Sequence, residues 1–167
     1  MKAKLVVEGK EFDIEINNPK LQELLTPQKK TGYERVGDGY TYSFVNSWDK
    51  VDTFEDKGSD DDLRYESANY YSDRTIAENN ARADRLMRQL RRFAVEHRKN
   101  AINWTNADDV KYEITYDYED QSLEVLINYA CKEFGTIYFD TIEAANQAIE
   151  AFRDELVWYF TEYKDSL

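Results

Sequence analysis

Apolar and polar positions alternate from the first residues of the chain. In "AKLVVEGKEFDIEI" (3–16), Phe12, Ile14 and Ile16 share one face and Glu11, Asp13 and Glu15 the other. Period-two alternation of β-formers around "EGK" predicts a hairpin, with Gly9 taking positive φ in the turn. "NNPKLQELLTP" predicts a short helix, capped by Asn18 and stopped at Pro27. Residues 29–62 alternate again, with Tyr40, Tyr42 and Phe44 in phase, "NSWDK" as a turn, "VDTFED" as the returning strand and "KGSDDD" as an exposed loop. "LRYESANYY" extends this meander as a further strand.

The period then changes. Between residues 74 and 99, Ile76, Ala83, Leu86, Met87, Leu90, Phe93 and Ala94 recur at three-, four- and seven-residue steps. That spacing predicts a helix with one apolar side, capped by Ser72 or Asp73. Arg74, Arg85, Arg88 and Arg92 fall on the opposite side. Strand patterns return in "VKYEITYDYED" and "SLEVLINYA", joined tightly through "EDQS", with "GTIYFD" as a third short strand. The last helix, "TIEAANQAIEAFRDELVWYF", carries the stripe Ile142, Ala145, Ile149, Phe152, Leu156 and Tyr159. Asp140 and Glu143 have the spacing of a capping box in front of it.

The expected fold is therefore α+β, with antiparallel sheets packed by two main helices. The segments are an N-terminal hairpin and short helix (1–28), a meander with an Arg-rich helix (29–100), and a second meander with the C-terminal helix (101–167), together one compact domain. "NYYSDRTIAENNARA" and "IYFDTIEAANQA" echo one another: each sets an aromatic pair and an Asp before an Ile-Ala helix start. Duplicated ββ(β)α halves, shared capping chemistry and chance each account for this weak echo.

Composition narrows the class. The 167 residues are 41% hydrophobic and 14% aromatic, enough for a packed core, and carry a net charge of −12. Such a charge repels nucleic acid unless a local patch reverses it, and attracts basic protein surfaces. The single cysteine, Cys131, excludes an intramolecular disulfide and fits small-hydrophobe packing in a reducing compartment. No apolar run approaches a membrane span or a signal peptide, which predicts a cytoplasmic protein without membrane contact.

Candidate chemistry is sparse. The run Asp60, Asp61, Asp62 suggests Ca²⁺, but a loop opening at Asp56 has Asp61 where an EF-hand needs Gly and Ser67 where it needs Glu. We therefore expect a solvated loop and no metal. The only histidine, His97, sits where a helix end is expected. No nucleophile elbow, zinc motif, phosphate loop or dinucleotide fingerprint occurs, so no catalytic residue and no cofactor are expected. The Arg-rich segment is distinctive. From Arg74 to Lys99 there are eight basic residues (Arg74, Arg82, Arg85, Arg88, Arg91, Arg92, Arg98, Lys99) and three acids (Glu78, Asp84, Glu96). The segment carries +5, which leaves −17 elsewhere. These arginines either contact phosphates or pair with the acidic body, and the surrounding charge favours pairing. Trp48 and Tyr118 add aromatic area of the kind enriched at interfaces, in a homodimer or with another protein.

"DLRYESANYYSD" and "GTIYFDTIEAANQAIEAFRDELVWYFTEY" resemble segments of small acidic accessory proteins from phages of Gram-positive bacteria. Members typically carry an R-Y-x-x-G-N-Y-F-type segment, a helix, and a closing Y-F-x-T-x-E-E-A helix. The resemblance covers roughly residues 33–163, with Ala68 where Gly is common and Tyr71 where Phe is common. It implies a shared fold, and for some members a role as inhibitors of bacterial defences, including anti-CRISPR proteins against type II systems. The expectation is a non-enzymatic inhibitor, monomeric or homodimeric, that binds a host defence protein, most concretely an RNA-guided nuclease. Its binding candidates are Asp60, Asp61, Asp62, Arg74, Arg85, Arg88, Arg92, Trp48 and Tyr118. The alternative is a nucleic-acid-binding accessory protein using the arginine helix.

Overall fold

Alternation at the N-terminus produces a hairpin, as its pattern predicts. In the computed structural model, which describes residues 2–7, 9–15, 17, 30–106 and 108–167, β1 (Lys2–Val7) pairs antiparallel with β2 (Lys10–Glu15). Gly9 turns between them at φ +79°. The helix expected over "NNPKLQELLTP" lies outside the described residues. The chain divides into two units, Met1–Thr31, which holds this hairpin, and Gly32–Leu167.

The second unit is α+β and builds the same motif twice. β3 (Thr41–Val45) pairs antiparallel with β4 (Val51–Glu55), placing Tyr42 opposite Phe54. On the other side of β3, Ser43 and Tyr71 exchange both backbone hydrogen bonds at 2.8 Å. Two residues later Asp73 caps the helix Arg74–Glu96, its carboxylate accepting the Ile76 amide at 3.1 Å. Further along, β5 (Lys111–Asp117) pairs antiparallel with β6 (Ser122–Asn128). Tyr112 and Phe139 exchange backbone hydrogen bonds at 3.0 and 2.8 Å, and two residues later Thr141 caps the helix Ile142–Thr161.

This correspondence shifts the register of the sequence echo by one residue, because Asp73 matches Thr141 and not Asp140. The capping box expected at Asp140 is absent. That carboxylate accepts the Lys99 and Asn100 amides at 2.8 and 2.7 Å, tying down the chain after the Arg-rich helix. "GTIYFD" likewise contributes a single bridge at Phe139 in place of the expected strand. Once one pair of bonds is made, the chain turns directly into the cap.

A third helix replaces the expected loop and strand at "KGSDDD" and "LRYESANYY": residues Ser59–Glu66 form α1, so that Arg74–Glu96 is α2 and Ile142–Thr161 is α3. Three aspartates in its first turn and Arg64 in its last complement the helix dipole. The helix ends in a Schellman arrangement. The Ala68 amide donates to Tyr65 O at 3.1 Å and the Asn69 amide to Arg64 O at 2.9 Å, with Ala68 at φ +57°.

α2 and α3 cross over a core of Leu86, Leu90, Ala94, Phe139, Ala144, Ala145, Ala148, Ile149 and Leu156, covered by Tyr112, Ile114 and Val125 of the β5–β6 sheet. The alanines let the two backbones approach closely, and the phase matches the predicted stripes. Ile142 departs from its stripe and is exposed. The helix bends at Phe152, whose φ/ψ of −123°/19° is non-helical, and there Phe152 meets Phe93 edge-on at 5.6 Å. The tail docks: Trp158 is buried, and the Tyr163 hydroxyl donates to Asn80 Oδ1 at 2.9 Å. Gly32 starts the unit at φ +94°, where a Cβ would stand 2.8 Å from Ile76 Cγ1, and its carbonyl accepts the Ser72 amide. His97 closes α2, stacked on Phe93 at 3.7 Å. Cys131, expected to pack as a small hydrophobe, is exposed after β6. Among the described residues, no helix is long and apolar enough to cross a membrane.

Candidate functional site

Five of the arginines of α2, Arg74, Arg82, Arg85, Arg88 and Arg92, have acidic partners within the chain. Arg74 donates to Glu78 at 2.8 Å, to Thr53 Oγ1 at 3.2 Å and to Val51 O at 3.3 Å, reaching the backbone of β4. Arg88 meets the Asp49 carboxylate at 2.6 Å, and Arg85 approaches the same carboxylate at 4.0 Å and the Asp49 carbonyl at 3.4 Å. Asp49 sits in the β3–β4 turn at φ +59°, so this turn carries an acid aimed at α2. Arg92 has only Glu96, at 3.8 Å and largely in solvent. Arg82 grips Glu155 with two bonds of 2.8 and 3.0 Å and lies 3.9 Å over the Trp158 ring, fastening α2 to α3. Arg74, Arg85, Arg88 and Arg92 thus each have an acidic neighbour in the chain, while their side chains stay half or more exposed.

The acid run divides. Asp60 is exposed, Asp62 pairs with Arg35 at 2.6 Å, and Asp61 is buried. The Asp61 carboxylate accepts the Tyr42 hydroxyl at 2.5 Å and the Lys57 and Gly58 amides at 2.9 Å, and pairs with Arg64 at 3.1 Å. These donors, Tyr42 first, hold the carboxyl down to about 2. Tyr42 stacks on Tyr70 with ring centroids 3.9 Å apart. The Tyr70 hydroxyl donates to buried Asp56 at 2.9 Å, and Arg35 clasps that carboxylate through bonds of 2.9 and 3.0 Å. Arg35 keeps the Asp56 carboxyl below its usual range, while burial pushes Tyr70 up to about 12. These acids stay charged and these tyrosines neutral around pH 7, an arrangement suited to holding the β3–β4 hairpin on α1. A proton relay needs a group poised near the working pH.

The two aromatic candidates lie on the β3–β4 turn and the β5–β6 connection. Trp48 is 79% exposed, its amide bonded to Asn46 Oδ1. Tyr118 is 69% exposed, and its hydroxyl donates to Phe160 O at 2.8 Å, pinning the β5–β6 connection to the end of α3. Around Tyr118 the structure gathers carboxylates that in sequence read only as a tight connection. Carboxylate oxygens of Asp117, Asp120 and Glu124 lie within 4.8 Å of one another, with Glu119 between them in sequence. Asp117 Oδ1 accepts the Glu119 and Asp120 amides at 2.7 and 3.1 Å, which fixes the turn. Among the described residues, no Lys, Arg or His lies within ion-pair distance of the trio. Ca²⁺ takes about six to eight oxygens from carboxylates, carbonyls and water, and the trio offers three carboxylates, of which Asp117 already accepts the turn amides. The signal was present as the acid density of "DYEDQSLE"; what sequence could not supply was the absence of a neutralising neighbour.

No family model matches this chain, and neither a curated protein nor a solved structure matches it.

Proposed function

We propose that the protein is a non-enzymatic inhibitor of the phage type that binds a host defence protein, with the β5–β6 tip as the acidic surface that meets a basic, nucleic-acid-binding face. The observation that carries this reading is the trio Asp117, Asp120 and Glu124, crowded within 4.8 Å with no cation paired to it among the described residues. Like charges at that spacing destabilise the free chain, and a basic partner relieves the repulsion on binding. Exposed Tyr118 adds rigid contact area beside the charge. The net charge of −12 steers the protein toward such a surface at long range. The concrete partner is the RNA-guided nuclease of a type II CRISPR system, in line with the resemblance of "DLRYESANYYSD" and the C-terminal helix to phage accessory proteins.

The test is a pull-down and DNA-cleavage assay against several type II nucleases, using the natural chain and the triple variant D117N/D120N/E124Q. The D117N change retains a side-chain oxygen for the turn amides, so the variant keeps its fold. Its melting temperature is expected to equal or exceed that of the natural chain as repulsion disappears, while partner binding falls at least tenfold. Absence of binding and inhibition across all the nucleases sinks the proposal, as does inhibition unchanged by the triple variant.

A further inference from the structure

Once the arginines of α2 are matched to their acids, three cations remain together. Arg91 and Arg98, one heptad apart near the end of α2, and Lys132 after β6 line one cleft of about 450 Å³. All three are exposed. Among the described residues none has a carboxylate within ion-pair distance, in a protein of net charge −12. The nearby acids are otherwise placed. Glu96 faces Arg92, and Glu133 lines the adjoining cleft with Arg91 and Lys132 without pairing to either.

The cleft also has a rigid aromatic wall. Trp104 stands edge-on to Tyr138 at 4.8 Å, and Tyr138 is buried, with its hydroxyl accepting the Glu133 amide at 2.8 Å. Lys111, fully buried, donates to the carbonyls of Asn106, Asp109 and Tyr129 and lies 5.2 Å from the Trp104 ring. This clamp fixes the segment that presents Trp104. The Lys132 ammonium stands 5.6 Å from the same ring, which brings the charge and the indole to one place. Ile102 and Ile137 complete an apolar floor.

We infer that this cleft binds a nucleoside phosphate, with Arg91, Arg98 and Lys132 on the phosphate and the base against Trp104 and the apolar floor. The volume falls within the range of about 300–1,000 Å³ seen for small-ligand sites. Guanidinium groups and an indole ring together form the usual platform for a base and its phosphate. An acidic peptide would use the cations but leave the ring and floor unmatched. The inference does not depend on the acidic tip, whose residues are untouched by the variants below.

Isothermal titration calorimetry at low salt tests it with AMP, inorganic phosphate, a short oligo(dT) and an oligoglutamate. AMP is expected to bind, and the doubly reversed R91E/R98E variant, at exposed positions that leave the melting temperature in place, to lose about tenfold or more. Trp104→Leu, which keeps apolar bulk without the ring, is expected to weaken AMP about tenfold while leaving inorganic phosphate unchanged. Tighter binding of oligo(dT) than of AMP identifies a nucleotide within a strand as the source, and the reverse order a free nucleotide; either supports the site. No heat with AMP up to about 10 mM, equal affinity for inorganic phosphate, AMP binding unaffected by R91E/R98E, or tighter binding of oligoglutamate overturns it.

Discussion

Ala68 occupies a place in the fold that glycine fills better. It follows the last turn of α1 at φ +57°, as the residue whose amide closes a Schellman motif onto Tyr65 O. An L-residue in the left-handed region costs roughly 1–2 kcal/mol relative to its right-handed form. Glycine removes that strain but adds about 0.5–1 kcal/mol of backbone entropy to the unfolded chain. The difference predicts that Ala68→Gly stabilises by about 0.5–1 kcal/mol, or about 2–5 °C for a unit of this size. Ala68 is exposed, so no lost packing offsets the gain. The motif also positions Asn69, whose side-chain amide donates to Val45 O and whose oxygen accepts the Val45 amide, both at 2.8 Å, so relaxing the cap does not loosen the hairpin. Urea unfolding followed by circular dichroism measures the effect, with an unchanged m-value as the sign that only stability moved. Ala68→Val, which adds a branched side chain at the same φ, is expected to shift the midpoint the opposite way. An Ala68→Gly protein no more stable than the natural one refutes the strain argument.

Two further outcomes concern charge. The Asp61 carboxyl is held down to about 2 in the native state against about 3.9 in an unfolded chain. Its contribution is therefore complete above about pH 4 and is lost as the pH falls toward 2. Tyr70, pushed up to about 12, keeps its proton in the fold, so stability present below about pH 10 falls as the pH rises through 12. Urea midpoints across these two windows should bend at both ends, and D61N should flatten the acid limb; an acid profile identical in D61N contradicts the network. On α2, Arg88→Glu sets a carboxylate against Asp49 in place of a 2.6 Å ion pair and is expected to destabilise by about 1 kcal/mol. Arg92→Glu, whose weak pair lies in solvent, should stay within about 0.5 kcal/mol. Equal melting shifts for the two variants would remove the distinction between a fastened and a free arginine.

Hairpins and long helices were legible because their periods are long and unbroken. Leu86, Leu90 and Ala94, and Ala145, Ile149 and Leu156, point inward as their spacing requires. α1 was not legible as a helix. Asp60 to Asp62 have the composition of a loop, and only their place in a first turn, with Asp61 turned back onto the Gly58 amide, makes them a start signal. The Asp140 error has a similar origin. An Asp before an apolar run reads as a cap, yet Thr141 caps and Asp140 grips the Lys99 and Asn100 amides, too distant along the chain for local sequence to weigh. At the candidate sites the residues were visible but their pairing was not. Arg88 and Arg91 look alike in sequence, and only folding gives the first an aspartate from a β-turn and leaves the second facing a tryptophan-lined cleft.

That difference changes how the charge of this protein should be read. A +5 segment in a −17 remainder suggests one basic helix exposed on an acidic body. Folding offsets part of that contrast locally: Arg82 meets Glu155, and Arg85 and Arg88 share Asp49, whereas Arg74 and Arg92 face Glu78 and Glu96 of the segment itself. Among the outward groups left without an ion pair in the described residues are an acidic trio at the β5–β6 tip and a cationic cleft at the end of α2, on a surface where exposed acids such as Asp60, Asp84, Glu143 and Asp154 keep the balance negative. Long-range steering follows the net charge and favours basic partners. Short-range recognition follows the unpaired groups, because paired ones must first lose their internal partner, at a cost that offsets any new contact. The proposed partner binding at the tip and nucleotide binding at the cleft therefore predict separate electrostatic signatures: neutralising Asp117, Asp120 and Glu124 should slow association with a basic partner, whereas reversing Arg91 and Arg98 should abolish anion binding without touching that approach.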